Sequence, residues 1–203
     1  MTRLVLARHG ETVWHAENRY AGSSDVALTD RGRAQAAGLA AWAPSAGLTG
    51  LWVSPLTRAR ETAAAAGRAA GLVPVVDERL RELHFGEAEG RTRAEMGVLW
   101  PDRLAAFEAD PVAGHLPGGE DPRAAATRMV ACVDAIAEAH PDGRVLVVAH
   151  STVIRLALCT LLGIPLADYR RVFPKLVNVA LTEIVPGRPA ALLQLNSPVP
   201  TAP

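Results

Sequence analysis

Two histidines and two arginines stand at or just past the ends of short apolar runs in this chain. Leu4-Val5-Leu6-Ala7 stops on Arg8, His9 and Gly10; Leu51-Trp52-Val53 stops on Ser54 and is soon followed by Arg58; Val145-Leu146-Val147-Val148-Ala149 stops on His150. A short apolar run closed by a turn residue has the form of a buried strand. Open α/β sheets bind their ligands at the carboxyl ends of such strands. Three strands of one sheet would deliver Arg8, His9, Arg58 and His150 to a single edge. A neutral imidazole can act as a nucleophile, and guanidinium groups grip phosphoryl oxygens in pairs. The chemistry indicated is phosphoryl transfer, which asks a protein mainly for positioning and for positive charge around the equatorial oxygens.

Each member of this set also has an ordinary reading. Arg58 can pair with Glu61 on a solvated helix face, and His150 can be a hydrogen-bonded structural residue. The recurrence of the same pattern at three strand ends is what favours a site. Helices follow two of these strands. Ser54 reads as an N-cap with Pro55 in the first helical position, leading a helix to about Ala70, and Ser151 can cap the helix carrying Val153, Ile154, Leu156 and Leu161. Free backbone N–H groups at such helix starts would add to an anion site.

Elsewhere, Thr29 can cap a helix to about Trp42, and Val73 to Val76 reads as a further short strand. Strands alternating with helices of about a dozen residues predict parallel βαβ crossovers. The expected fold is α/β, a three-layer α/β/α arrangement around a mostly parallel central sheet. Residues 91–140 look helical and inserted between strands, with Pro101 restarting a helix and Asp121-Pro122 opening another. Pro111 to Glu120 reads as an exposed loop. Val179 to Val185 and Ala190 to Leu195 alternate as a strand pair around Pro186-Gly187. One domain over residues 1–196 is expected, with a disordered tail at 197–203.

The 203 residues, 49% of them apolar, suffice for one full-sized core. With 21 basic and 21 acidic residues the chain is formally neutral, which argues against a nucleic-acid or anionic-membrane surface as partner. A small phosphate ester is the partner expected, and a homodimer is compatible with the composition. Cys132 and Cys159 lie in apolar helical patterns and read as buried thiols. The six histidines show no metal-ligand spacing, so neither a metal nor another cofactor is expected. The first strand begins almost at Met1, and no apolar run nears the ~18 residues of a membrane span, so a cytoplasmic protein is expected.

Four segments in order carry a resemblance: Arg8-His9-Gly10-Glu11-Thr12, Ser54-Pro55-Leu56-Thr57-Arg58-Ala59-Arg60-Glu61-Thr62-Ala63, Glu82-Leu83-His84-Phe85-Gly86-Glu87-Ala88-Glu89-Gly90, and Ala149-His150. Together they resemble the histidine phosphatase, or phosphoglycerate mutase-like, superfamily over nearly the whole chain. Pro117-Gly118-Gly119-Glu120 and Asn178 also sit where phosphatase members carry such residues. The resemblance implies that His9 is phosphorylated during turnover, that Arg8, Arg58 and His150 bind the phosphoryl group, and that Glu82 carries the proton for the leaving group. Without the motif, Glu82 would read as a surface partner of Arg79 or Arg81. Two positions depart from the family pattern: His15 stands where asparagine is common, and Ser151-Thr152 where a glycine pair is common. Ser151 can cap the helix or touch phosphate.

The function expected is a metal-independent phosphomonoesterase of histidine acid phosphatase type. A mutase would use the same residues, and a non-catalytic phosphate-binding protein would keep the fold. Specificity is expected from three loops: residues 14–25 with His15, Arg19 and Tyr20; residues 83–100; and Pro111–Glu120.

Overall fold

The computed structural model of the chain describes residues 1–200. Six strands are present among them: β1 (Arg3–Arg8), β2 (Gly50–Val53), β3 (Val75–Val76), β4 (Arg144–Ala149), β5 (Leu181–Val185) and β6 (Ala191–Ser197). They form one sheet in the order β3-β2-β4-β1-β5-β6. β4 runs parallel to both β1 and β2, and β3 parallel to β2, while the β5–β6 hairpin closes the other side antiparallel. The sheet is mostly parallel, and the fold is the α/β layering expected from the sequence.

The apolar runs of β1 and β4 are continuous because both faces of these strands are covered. Leu4, Leu6, Val145 and Val147 join one hydrophobic cluster; Val5, Ala7, Leu146 and Val148 join the other. α1 (Asp30–Trp42) and α2 (Thr57–Ala70) cover the second set, with Leu39, Trp42, Ala59 and Ala63 packed against it. α5 (Pro122–Ala139) and α6 (Ser151–Leu162) cover the first, through Met129, Val133, Leu156 and Ala157. Between β3 and α5 the chain forms two short helices, α3 (Arg93–Leu99) and α4 (Pro101–Ala109). α7 (Tyr169–Val172) is a single turn that the sequence pattern did not signal.

Several local expectations change. Ser54 does not cap α2: the helix begins at Thr57 behind Leu56, so Pro55 lies outside it. The Ser54 hydroxyl has a different partner, described below. Ser151 is the first residue of α6 and supplies no cap bond. The strand at 73–76 shrinks to Val75–Val76, an exposed sheet edge preceded by Pro74, which has no N–H to offer a neighbour. The Pro111–Glu120 loop is not simply exposed, since Val112 and Leu116 anchor it in the core. In the expected tail, Ser197 closes β6 and Val199 packs on the α1/α2 side of the sheet; residues 201–203 lie outside the described residues.

The turn after β1 is tight. Gly10 lies so close to α1 that a β-carbon there would come within 2.6 Å of the Gly32 carbonyl oxygen, so no larger residue fits without moving the helix.

Candidate active site

Parallel registration brings the three strand ends level. Arg8 pairs with Ala149 and Val53 with Val148, and the next residues are tied across: His9 N–H donates to Ala149 O at 3.0 Å and Ser54 N–H to Val148 O at 3.0 Å. His9, Ser54 and His150 therefore stand side by side at one edge. The His9 and His150 ring centroids are 5.1 Å apart.

His9 is oriented by its own backbone neighbour. Its Nδ1 lies 2.7 Å from Gly10 O. A carbonyl can only accept, so Nδ1 carries the proton and Nε2 keeps its lone pair. Burial, then the charges of Arg8 and Arg58, hold the imidazole well below its ordinary pKa of 6.5. His9 is thus a neutral ring with a free nucleophilic nitrogen. Asn178 Nδ2 donates to His9 O at 2.8 Å and braces the turn.

His150 is fully buried, and burial followed by Arg58 keeps it neutral as well. Its Nε2 lies 2.6 Å from Ser54 Oγ. Ser54 Oγ also accepts the Leu56 N–H, and we assign its own proton to His150 Nε2. The proton of the neutral ring then sits on Nδ1, a buried atom with no partner.

Of the two arginines, Arg58 is fully buried and Arg8 half-buried. Arg58, fully buried, donates through Nη1 to Ser24 O and through Nη2 to Gly22 O, at 2.8 and 2.7 Å, and does not pair with Glu61. Arg8 donates through Nη1 to Leu176 O at 2.9 Å, and its Nη2 lies against His15 Nε2. Burial lowers the Arg8 pKa to about 10, so the group stays charged at neutral pH. In both arginines Nε is buried and unpartnered. Three orphan donors, Arg8 Nε, Arg58 Nε and His150 Nδ1, accompany the His9 ring. Buried donors are rarely left unmade without a ligand to meet them.

Glu82 is buried and pairs with neither Arg79 nor Arg81, which bond to Asp77 and Glu120 instead. Its carboxylate accepts from Leu83 N at 2.8 Å, Thr152 N at 2.9 Å and Val153 N at 3.0 Å. Glu82, not Ser151, is therefore the cap of α6. The loop bearing it is held by Arg128 of α5, which donates to the carbonyls of Arg79, Arg81 and Glu82 while paired with Glu120 at 2.8 Å. The Pro117–Glu120 segment thus braces the Glu82 loop. At Gly86, φ is +58° and a β-carbon would meet Pro117 O at 2.0 Å, so the contact between the two loops requires glycine.

A cavity of about 220 Å³ is lined by Arg8, His9, Thr12, His15 and Glu82, while Arg58 and His150 lie behind this lining and not in it. Asn18, Arg19, Tyr20 and Ala21 line it from the first loop, and Phe85 from the second. Pro111–Glu120 does not contribute to it. α6 and α7 do, through Ser151, Thr152, Arg155, Tyr169 and Arg170. His15 reaches the cavity as the partner of Arg8, and its pKa falls to about 4 through burial and then the Arg8 charge. Tyr20 stacks edge-on to Phe85, 5.1 Å between centroids. Arg19 is already engaged, with Glu17 at 2.7 Å and Glu95 at 3.0 Å.

The residues not foreseen are Ser54 as partner of His150, Arg128, Arg155 and the Tyr169–Arg170 pair. One signal existed for Arg155: it is the one charged residue in the otherwise apolar helix that follows His150.

Among the described residues no helix is long and apolar enough to cross a membrane. Residues 4–197 match the profile of the histidine phosphatase superfamily (branch 1). The chain is 34% identical over 187 residues to the "Probable phosphoglycerate mutase GpmB" of Cronobacter sakazakii, covering 91% of this chain and 85% of that one. Among solved structures, mycobacterial glucosyl-3-phosphoglycerate phosphatase is 29% identical with a TM-score of 0.86, covering 96% of this chain and 98% of that one. The α-ribazole phosphatase of Shigella flexneri is 26% identical with a TM-score of 0.87, covering 99% of each chain.

Proposed function

Because the chain belongs to the histidine phosphatase superfamily (branch 1), we propose that it is a metal-independent phosphomonoesterase acting on a small phosphorylated metabolite through a phosphohistidine at His9. The observation that carries this reading is the set of three unpartnered buried donors, Arg8 Nε, Arg58 Nε and His150 Nδ1, on residues that adjoin His9: the His150 ring is 5.1 Å away and the charges of Arg8 and Arg58 act on the His9 imidazole.

In the first step the Nε2 lone pair of His9 attacks phosphorus as the ester P–O bond breaks, and the departing alkoxide takes a proton from Glu82. In the second, water attacks the phosphohistidine, gives its proton to Glu82, and releases phosphate with His9 restored. Arg8 and Arg58 meet the equatorial oxygens, and His150 Nδ1–H donates to the same group as its charge develops. Gly10 O holds the His9 ring to its line of attack, and Asn178 braces the His9 backbone. Positive charge comes from side chains throughout, with no metal ion and no other cofactor needed. A small phosphate ester is the partner.

The deciding experiment is chemical trapping. Wild-type protein quenched during turnover of radiolabelled p-nitrophenyl phosphate should carry acid-labile phosphate, absent from His9→Ala, which should also be inactive. Comparable turnover by His9→Ala sinks the mechanism. The likeness to a probable mutase favours a second reading, transfer of the phosphoryl group between two hydroxyls. With 3-phosphoglycerate, free phosphate as product supports hydrolysis and 2-phosphoglycerate supports transfer.

A further inference from the structure

The cavity holds a fourth orphan donor that the phosphoryl group does not account for. Arg155 Nε is buried without a partner, while its Nη2 is fixed by Pro174 O at 3.1 Å. Arg170, at the start of α7, lines the same cavity with its guanidinium 4.9 Å from the Phe107 ring centroid. Among the described residues neither arginine forms an ion pair. Arg19, also in the lining, is held by two glutamates. Between the two arginines in sequence lies Tyr169, 2% exposed, its phenol pushed up to about 12 by burial and so kept as a hydroxyl donor. The one carboxylate in the lining is Glu82, already committed to three backbone N–H groups. Arg155 is half-buried with its Nε unmet, which a ligand anion would relieve, and the exposed Arg170 adds a second guanidinium to the same lining. Arg155 is also near enough to the phosphoryl end for its charge to act on Arg8.

Resting on the phosphatase reading, we propose that Arg155 and Arg170 form a subsite for a second anionic group carried on the alcohol portion of the substrate. The preferred substrates are then phosphate esters that also bear a carboxylate or a second phosphate, gripped at both ends. Esters of neutral alcohols are held at one end only. This moves specificity from Arg19 and the 14–25 loop to α6 and α7.

Three ligands differing at one carbon test it: 3-phosphoglycerate with a carboxylate, glycerol 1,3-bisphosphate with a phosphate, and glycerol 3-phosphate with a neutral hydroxymethyl. Dissociation constants are measured by calorimetry on the His9→Ala chain, which holds them without turnover. At least one doubly anionic ligand should bind about tenfold or more tighter than glycerol 3-phosphate, the scale of one charge-assisted contact. Adding Arg155→Gln or Arg170→Gln should collapse that ratio to within about threefold of unity. Arg155→Lys, which keeps the charge, should retain part of it. A ratio near one in the parent, a ratio untouched by both substitutions, equal weakening of all three ligands, or no measurable binding each overturns the subsite. Turnover of p-nitrophenyl phosphate by the native chain tests the phosphatase reading separately; its failure beside a preserved binding ratio would sink that reading and leave the subsite standing.

Discussion

Ser54 Oγ stands 2.6 Å from His150 Nε2, joining the end of β2 to the end of β4 across the sheet edge. The bond selects a tautomer, because a hydroxyl that donates to Nε2 leaves the ring proton on Nδ1, where a phosphoryl oxygen can be met. Ser54→Ala should therefore lower kcat by about tenfold while changing KM less, as expected of an interaction that matters most in the transition state. Nitrogen NMR of the His150 ring gives the separate check: the Nδ1–H form should dominate in the wild type and lose ground in the variant. An unchanged tautomer ratio would reduce Ser54 to a structural contact.

The Glu82 loop makes a second expectation. If Glu82 supplies the proton to the leaving alkoxide, Glu82→Gln should cost about a hundredfold or more on an alkyl phosphate such as glycerol 3-phosphate. The loss should be much smaller on 2,4-dinitrophenyl phosphate, whose leaving group needs no proton. Equal losses on both would assign Glu82 to capping α6 alone. A loosened loop, made by Arg128→Met, should show the same substrate dependence in weaker form.

Acid should destabilise the fold through its two buried imidazoles. His9 and His150 are held well below 6.5, chiefly by burial and then by the neighbouring arginines. The unfolded chain takes up protons near 6.5 that the folded site refuses. Their contribution to stability is thus complete above that pH and is lost as pH falls below it. Thermal melts from pH 8 to pH 5 should fall most steeply on the acid side of about 6.5, and the His9→Asn, His150→Gln double variant should flatten the fall. A slope unaltered by the double change would assign it to other groups.

Inorganic phosphate should bind the three orphan donors and stabilise the folded chain, by about 2.7 kcal/mol at a hundredfold excess over Kd. Vanadate should inhibit at the same place. Excess EDTA should leave the rate unchanged, since arginine and histidine side chains supply the charge. A loss of rate restored by Mg²⁺ or Zn²⁺ would show that a metal ion belongs in the site.

Much of this site could be read from residues alone, and the limits have a physical cause. Arg8, His9 and His150 were legible because strand ends announce themselves as apolar runs that stop, and parallel strands must align their ends. The cap of α6 was not. Serine beside a helix start is the usual local solution, but here Glu82, distant in sequence, reaches the free N–H groups first. Ser54 was misassigned for the same reason: its hydroxyl serves a histidine on another strand. Local rules rank local partners, and both residues have long-range ones. Arg155 and Arg170 were missed because α7 is too short to leave a periodic signal, and a single arginine in an apolar helix gives no direction until the helix is placed.

Arg58 is held by the carbonyls of Ser24 and Gly22, and Arg8 by that of Leu176, each through its Nη atoms. Carbonyl dipoles fix a guanidinium in place without cancelling its charge, as a paired carboxylate would. An arriving anion has no incumbent carboxylate to evict. On the phosphatase reading proposed above, the same openness would apply to the departing phosphate as to the ester. The pocket would in this sense be throttled by its own end product. In a phosphate-rich solution, throughput would then follow how tightly these carbonyl-held arginines hold inorganic phosphate.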